Sequence, residues 1–301
     1  MNFDVACFGS AFVDVYLGST EFKKVGPALC EVYGGKINVD KMVMTTGGGA
    51  TNTAVGFERL GLQTAAVCAV GKDDRGLFVR KELQREGVSP LYVQQVDSPT
   101  SYSTILVATD GGRTALVYRG ASNALSGYKV KWDKLDPKWF YASSLGGNFN
   151  LLAQIIRRAQ KQKIKVALNP GSQEIKAGKK LQAFLPSVEV LILNCQEAET
   201  LGKFSGPKIV AVTEGRNGAE LIIGKKKIKY EAIKAETIEE TGAGDGFASG
   251  FMTGIINGLK PETALKMGLI NGAAVTTAFG PKAGLLFAPE MNQWLKQLKT
   301  Q

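Results

Sequence analysis

The sequence predicts an α/β fold: a doubly wound, mostly parallel sheet flanked by helices, with a small β-sheet projecting from it. Three observations predict this. Up to residue 212, short apolar runs alternate with amphipathic helical stretches. Parallel strands joined by right-handed helical crossovers produce that alternation. Beyond 212 the pattern changes to a hairpin and two long helices. Two regions, 13–45 and 100–118, carry strand-like patches without helices.

The apolar runs at 4–8, 64–70, 139–143, 165–168, 189–193 and 208–212 are too short for helices and read as buried strands. Between them, apolar residues recur at helical spacing over 53–60, 76–86, 151–161 and 177–184. Strands 219–223 and 227–230 flank Gly224-Lys225-Lys226 as an antiparallel hairpin, and helices follow near 246–257 and 261–279. In the outlying regions, 103–109 and 113–118 flank Asp110-Gly111-Gly112, a hairpin turn signal. The expected organisation is a main domain of 1–12, 46–99 and 119–301, with 13–45 and 100–118 forming a β lid. The edges of such a lid need pairing or covering, which makes it a candidate homodimer surface.

The chain has 301 residues, 44% hydrophobic and 21% charged, the balance of a globular soluble protein. No apolar stretch approaches the roughly 18 residues of a membrane span, and Met1-Asn2-Phe3-Asp4 lacks the basic start of a signal peptide. The four cysteines, Cys7, Cys30, Cys68 and Cys195, are far apart, and no pair has metal-ligand spacing. Cys7, Cys68 and Cys195 are expected as reduced core residues, which fits a cytoplasmic location. There is no histidine, so proton transfer falls to Asp, Glu, Lys, Tyr or Cys. The net charge of +10 is spread out, and its densest run, Lys225-Lys226-Lys227 with Lys229, reads as a hairpin turn. Nucleic acid and membrane are therefore not expected partners, while the surplus charge either helps attract nucleotide or phosphorylated ligands or is only a soluble surface.

The segment Glu240-Thr241-Gly242-Ala243-Gly244-Asp245-Gly246-Phe247 is a glycine-rich turn opening an apolar helical pattern. Free N–H groups at a helix start, with the helix dipole behind them, bind anions. Asp245 at such a place suggests an acid or base beside a bound phosphate; a simple Asp cap is the alternative. Gly242, Gly246, Gly250, Gly254 and Gly258 recur every four residues. Each interior glycine costs about 1 kcal/mol against Ala, so this face should pack against another backbone or a flat ligand. No G-x-x-x-x-G-K-[ST] occurs, and no G-x-G-x-x-G follows the first strand.

Four further segments are candidates. Gly47-Gly48-Gly49-Ala50-Thr51-Asn52 lets backbone approach a ligand, with Thr51 and Asn52 suited to hydroxyls, or is a capped turn. Asn194-Cys195-Gln196-Glu197 follows a strand, where α/β sheets bind ligands. Its Glu197 either holds Mg²⁺, directly or through water, or forms a capping box with Asn194. Thr213-Glu214-Gly215-Arg216-Asn217-Gly218 is a ligand loop or a plain hairpin, and Asp14 binds ligand or caps a turn.

In order and combination these segments resemble the ribokinase/PfkB-type carbohydrate kinase family, from the Gly9–Asp14 stretch to the helix of Asn271. Gly47, Gly48 and Asn52 match its Gly-Gly-x-x-x-Asn motif, and Thr241 through Asp245 its Thr-Gly-Ala-Gly-Asp motif. The resemblance implies ATP-dependent phosphorylation of a sugar-like alcohol. It implies Asp14, Gly48, Gly49 and Asn52 at the acceptor, and Asn194 with Glu197 at Mg²⁺ (through water) and phosphate. Thr213, Gly215, Gly218, Gly244 and Asn271 would serve the nucleotide. Gly242, Ala243 and Gly244 would form the anion hole, with Asp245 as base. A carboxylate of ordinary pKa near ~4 serves there, because the transition state is loose. Arg119 either faces an acidic group on the acceptor or forms a surface salt bridge at the lid hinge. Two departures stand out. Many members have Asp at a monovalent-cation site where this chain has Glu239, which leaves a K⁺ requirement open. Ribokinases proper usually have Lys where this chain has Gly49, which points away from ribose. Nucleosides and keto-deoxy sugar acids are alternative acceptors, and a non-catalytic sugar- or nucleotide-binding regulator is the competing class.

Overall fold

The computed structural model describes residues 2–297 apart from 27, 32 and 111. Gly111 of the expected turn, and positions 1 and 298–301 of the expected main domain, lie outside the described residues. Strands and helices are numbered separately in chain order. The large sheet has eight strands. Six run parallel, side by side: β6 (Thr64–Val67), β1 (Val5–Phe8), β11 (Trp139–Ala142), β12 (Lys165–Leu168), β13 (Val190–Asn194) and β14 (Ile209–Thr213). β15 (Ala219–Ile223) and β16 (Lys226–Tyr230) extend it antiparallel as the expected hairpin. Lys226, Lys227 and Lys229 of that hairpin each pair with a carboxylate, on Glu262, Glu220 and Glu214.

Alternate residues of the parallel strands point to opposite faces, and both faces are covered. Ala6, Phe8 and Phe140 join one core with α3 (Phe149–Gln162). Val5, Cys7 and Tyr141 join the other with α1 (Gly49–Arg59), α2 (Asp74–Arg85), α7 (Ala243–Ile256) and α8 (Pro261–Val275). Local chemistry sets the helix starts. Asp73 Oδ1 accepts from Gly76 N–H at 2.8 Å to cap α2, and Asn148 Oδ1 from Leu151 N–H at 3.0 Å to cap α3.

The small sheet has four strands, ordered β10 (Arg113–Tyr118), β9 (Ser101–Val107), β2 (Phe12–Gly18) and β5 (Lys41–Gly47). Among the described residues two short ladders complete the strands: β3 (Lys23–Val25) with β4 (Ala28–Cys30), and β7 (Ala69–Gly71) with β8 (Gln94–Val96).

Some elements differ from expectation. The run 64–70 splits at Cys68, whose carbonyl accepts from Gln94 N–H, so its second half leaves the large sheet for β8. The helix expected at 177–184 becomes α4 (Ser172–Lys176) and α5 (Lys179–Gln182), broken at Gly178 with φ 48°. Two helices were not expected as such: α6 (Cys195–Leu201) and α9 (Ala288–Gln297). Cys195 is exposed in the first turn of α6 rather than in the core, and all four cysteines are free. Among the described residues no helix is long and apolar enough to cross a membrane.

Of the glycine stripe, Gly246, Gly250 and Gly254 pack α7 on α8, whereas Gly242 lies against Pro281 and Gly258 is open. A Cβ on Gly250 would lie 2.4 Å from the Met267 carbonyl oxygen, and one on Gly254 2.6 Å from Ala264 Cβ. Gly250→Ala is expected to destabilise the fold by about 1–3 kcal/mol, since the clash is with backbone. Thermal and urea unfolding check this; an unchanged melting temperature would contradict the close packing.

Candidate active site

The site lies along the carboxyl ends of the parallel strands. Immediately beyond β1, Ser10 receives the start of α1: its Oγ accepts from Gly49 N–H at 3.2 Å and its carbonyl from Ala50 N–H at 3.1 Å. Gly48 caps α1 at φ 98°, and a Cβ there would lie 2.5 Å from Ser10 O. A Cβ on Gly49 would lie 2.4 Å from Ser143 Oγ, beyond β11, and 3.9 Å from Asp245 Oδ1. Only glycines let α1 start this close to both strand ends and to Asp245.

α7 starts from Gly242 in the left-handed region, φ 85° and ψ −3°. The N–H groups of Gly242, Gly244 and Asp245 donate to no protein group among the described residues. That of Ala243 bonds Glu240 O at 3.2 Å. The free amides are therefore not the continuous run Gly242-Ala243-Gly244 of the expected anion hole, because Ala243 closes the turn onto Glu240. Gly244 is exposed, with nothing within 4 Å of an added Cβ. The dipole of a 14-residue helix and unpaired donors thus face open space.

Asp245 is half-buried beside these amides, and Asn52 Nδ2 donates to its Oδ2 at 2.8 Å. Burial raises its carboxyl to about 6, while the Asn52 hydrogen bond and the Lys282 charge pull the other way. This corrects the expectation of an ordinary carboxylate: closure by α1 and α7 costs it solvent. Asn52 Oδ1 is buried and without a partner, an acceptor left over. Thr51, in contrast, does not face the site. Its hydroxyl turns back to Gly47 O at 2.6 Å, the usual local competition for helix carbonyls.

Asp14 is buried on β2 above Gly47, where a Cβ would meet its Oδ2 at 1.8 Å. Burial raises its carboxyl; Ser103 and Lys282 oppose that, and Glu239 adds to it. Lys282 was not anticipated. It is buried, its Nζ donates to Thr46 Oγ1, and burial lowers its ammonium to about 8. The only signal in the sequence was its glycine-flanked loop, Gly280-Pro281-Lys282-Ala283-Gly284.

On the other flank, Asn194 and Thr213 are register partners at the ends of β13 and β14. Asn194 and Glu197 form the capping box: Asn194 N–H donates to Glu197 Oε2 and Glu197 N–H to Asn194 Oδ1, both at 2.9 Å. Glu197 Oε1 keeps no hydrogen-bond partner among the described residues, and burial raises the carboxyl. Thr213 Oγ1 lies 3.4 Å from Leu193 O. Gly215 takes φ 58° with open space around it, whereas a Cβ on Gly218 would meet Tyr230 O at 1.9 Å. Asn271 is fully buried, and its amide is committed to the protein. Its Nδ2 donates to Gly246 O and Ser249 Oγ, and its Oδ1 accepts from Leu286 N–H. It thereby braces α8 against α7. Arg119 is exposed, and its guanidinium makes no ion pair among the described residues, so of its two readings the surface salt bridge is not formed.

The sequence profile of the pfkB family carbohydrate kinases matches residues 2–286. The chain belongs to this family. It is accordingly a carbohydrate kinase, a phosphotransferase with an alcohol acceptor, from an ATP-using family. It is 26% identical over 291 residues to an ATP-dependent 6-phosphofructokinase of Thermoanaerobacterium thermosaccharolyticum, covering 89% of this chain and 86% of that one. The fold is similar to that of a Burkholderia thailandensis nucleoside kinase in complex with inosine, with TM-score 0.84, 20% identity and 99% of each chain covered. It is also similar to Arabidopsis thaliana ribokinase complexed with ribose and ATP, with TM-score 0.82, 22% identity and 98% and 99% covered.

Proposed function

We propose that this kinase transfers the γ-phosphoryl group of ATP to a hydroxymethyl or similar alcohol of a sugar-like acceptor, with Asp245 as general base. The observation that carries this is the joint position of Asp245: in the first turn of α7, beside unpaired amides, held by Asn52 of α1. The acceptor alcohol gives its proton to Asp245 as its oxygen attacks the γ-phosphorus in line, and ADP leaves. A base near 6 is ionised at neutral pH yet closer to the alcohol in proton affinity than a solvated carboxylate. The Gly242 and Gly244 amides meet the charge on the transferred group, donors worth roughly 3 kcal/mol each where preorganised. Asp14 and Asn52 hold acceptor hydroxyls, with the free Asn52 Oδ1 ready to accept one. Arg119 stands exposed at the end of β10, free to meet an acidic group on the acceptor.

Thr213 and the Gly215–Gly218 loop receive the nucleotide, with Asn271 supporting that site from behind. Mg²⁺ typically takes one or two carboxylates together with waters and phosphate oxygens. Glu197 fits that habit through Oε1 and would hold the ion through water, beside Asn194. When bound, the ion neutralises phosphate charge. The small sheet acts as a lid that excludes water from the reaction.

An ATP-coupled screen over pentoses, hexoses, sugar phosphates, sugar acids and nucleosides tests the reading. Turnover with one class is expected. A protein that binds these ligands and consumes no ATP would be the regulator instead.

We also propose that two copies pair through the lid. Met44, Val15, Thr104 and Leu116 are consecutive register partners and so share one face. Met42, Met44, Leu116 and Tyr118 on that face are each at least half exposed, an apolar patch that calls for cover. Met44→Lys with Leu116→Lys is expected to convert a dimer to a monomer in sedimentation velocity. A wild-type chain that sediments as a monomer at tens of micromolar would overturn this.

A further inference from the structure

Arg113, the first residue of β10, reaches from the small sheet to the segment that leads into α7. Its Nη1 donates to Glu239 Oε1 at 2.7 Å. The Glu239 side chain is 1% exposed and that of Arg113 36%. The same oxygen accepts from Thr241 N–H at 2.7 Å and from the Thr241 hydroxyl, while Glu239 Oε2 is buried without a partner. The Glu239 backbone is itself anchored, its N–H donating to Thr276 O at 3.1 Å. Thr241 immediately precedes Gly242. A single carboxylate oxygen therefore ties the guanidinium of one sheet to the residue that sets the first turn of α7.

We propose that Arg113 is a positioning residue for phosphoryl transfer, acting through Glu239 and Thr241 on the anion-binding start of α7. A buried carboxylate keeps its place only while its charge is met. With Arg113 present, Glu239 is neutralised and holds Thr241 by two hydrogen bonds. With Arg113 gone, the carboxylate is left buried and unpaired, and it draws in water or turns outward, releasing Thr241. Gly242 and Gly244 follow, and a displacement of about 1 Å at donors aimed at a transition state can cost on the order of 100-fold in rate. Because Arg113 belongs to the small sheet, it also ties the completeness of the anion site to that sheet's position. The inference rests on reading the start of α7 as the phosphate site.

The test is a kinetic cycle on Arg113→Met, Glu239→Gln and the double variant, with the acceptor found in the screen. Arg113→Met should lower kcat at least about 30-fold while the acceptor KM stays within about three-fold, since Asp14 and Asn52 are untouched. Arg113→Lys, or millimolar guanidinium added to Arg113→Met, should recover a measurable part of kcat. In the Glu239→Gln background the amide still accepts from Thr241 but carries no charge, so Arg113→Met should cost at least tenfold less there than in the wild type. Additive effects, or an Arg113→Met enzyme that is folded and fully active, would overturn the inference. So would a loss of kcat in Arg113→Met that neither Lys nor guanidinium restores. The underlying reading is tested separately by Asp245→Asn: full activity in that variant removes the reading, whereas full activity in Arg113→Met removes only this inference.

Discussion

Asp245→Asn is expected to lower turnover at least ~100-fold while nucleotide affinity stays within about three-fold. The substitution is nearly isosteric, and the Asn side-chain oxygen still accepts from Asn52 Nδ2, now at 2.8 Å from the carboxylate. The geometry of α1 against α7 is therefore kept, and only the proton acceptor is lost. No histidine exists to replace it. Lys282, the nearby buried base when neutral, is turned to Thr46. The pH dependence follows from the same carboxyl. Burial first of all lifts it to about 6, so the fraction of ionised base falls as pH drops through that value. The acid limb of kcat/KM is expected near pH 6, with a slope of one proton, and absent from the residual activity of the Asn variant. The stability effect has the opposite sense. A carboxyl raised above its unfolded value favours the folded state most at low pH, and that contribution is lost as pH rises through about 6. Asp245→Asn should therefore melt slightly higher than the wild type at neutral pH. A fully active variant, or one that no longer binds nucleotide, would remove Asp245 from the role of base.

What the sequence made legible follows the range of the interactions. The parallel strands could be read because both of their faces are buried, so four or five consecutive apolar residues have no other explanation. The Gly-Gly start of α1 and the Gly-Ala-Gly start of α7 were legible because the backbone there needs conformations or approaches that only glycine allows, and that need is local. Helix starts were placed late for the same reason, since glycines read as turn although Gly49 and Ala243 already lie in helices. Thr51 was misread because its hydroxyl had a carbonyl of its own helix start within reach. The ion pair of Arg113 with Glu239, the hydrogen bond of Lys282 to Thr46 and the bond from Asn52 to Asp245 join residues more than 100 positions apart. Nothing in composition or spacing fixes which distant partner a buried charge will meet. Asn271 shows the converse. The resemblance marked its position, and packing then claimed every donor of its amide for α7.

A paired substitution at the start of α7 separates what the fold needs from what the chemistry needs. Gly242→Ala places a Cβ at φ 85° and 2.6 Å from Pro281 Cα. The backbone conformation alone costs about 1–2 kcal/mol, and the contact is with backbone, so the turn itself must move. Stability and turnover are both expected to fall, turnover by at least ~100-fold as the donors leave their aim. Acceptor affinity should change little, because Asp14 and Asn52 sit on other elements. Gly244→Ala is the informative partner. Its Cβ meets nothing within 4 Å, and an Ala in the first turn of a helix favours the fold rather than strains it. Its melting temperature should match or exceed that of the wild type. Yet in the proposed mechanism the transferred phosphoryl group approaches the Gly244 amide through the open space it enters, so turnover should fall about tenfold or more as that donor is shielded. Measured side by side, the two variants give opposite stabilities and a shared loss of rate. A Gly244→Ala enzyme with wild-type turnover would mean that this space is not occupied during catalysis, and the start of α7 would lose its place as the anion site.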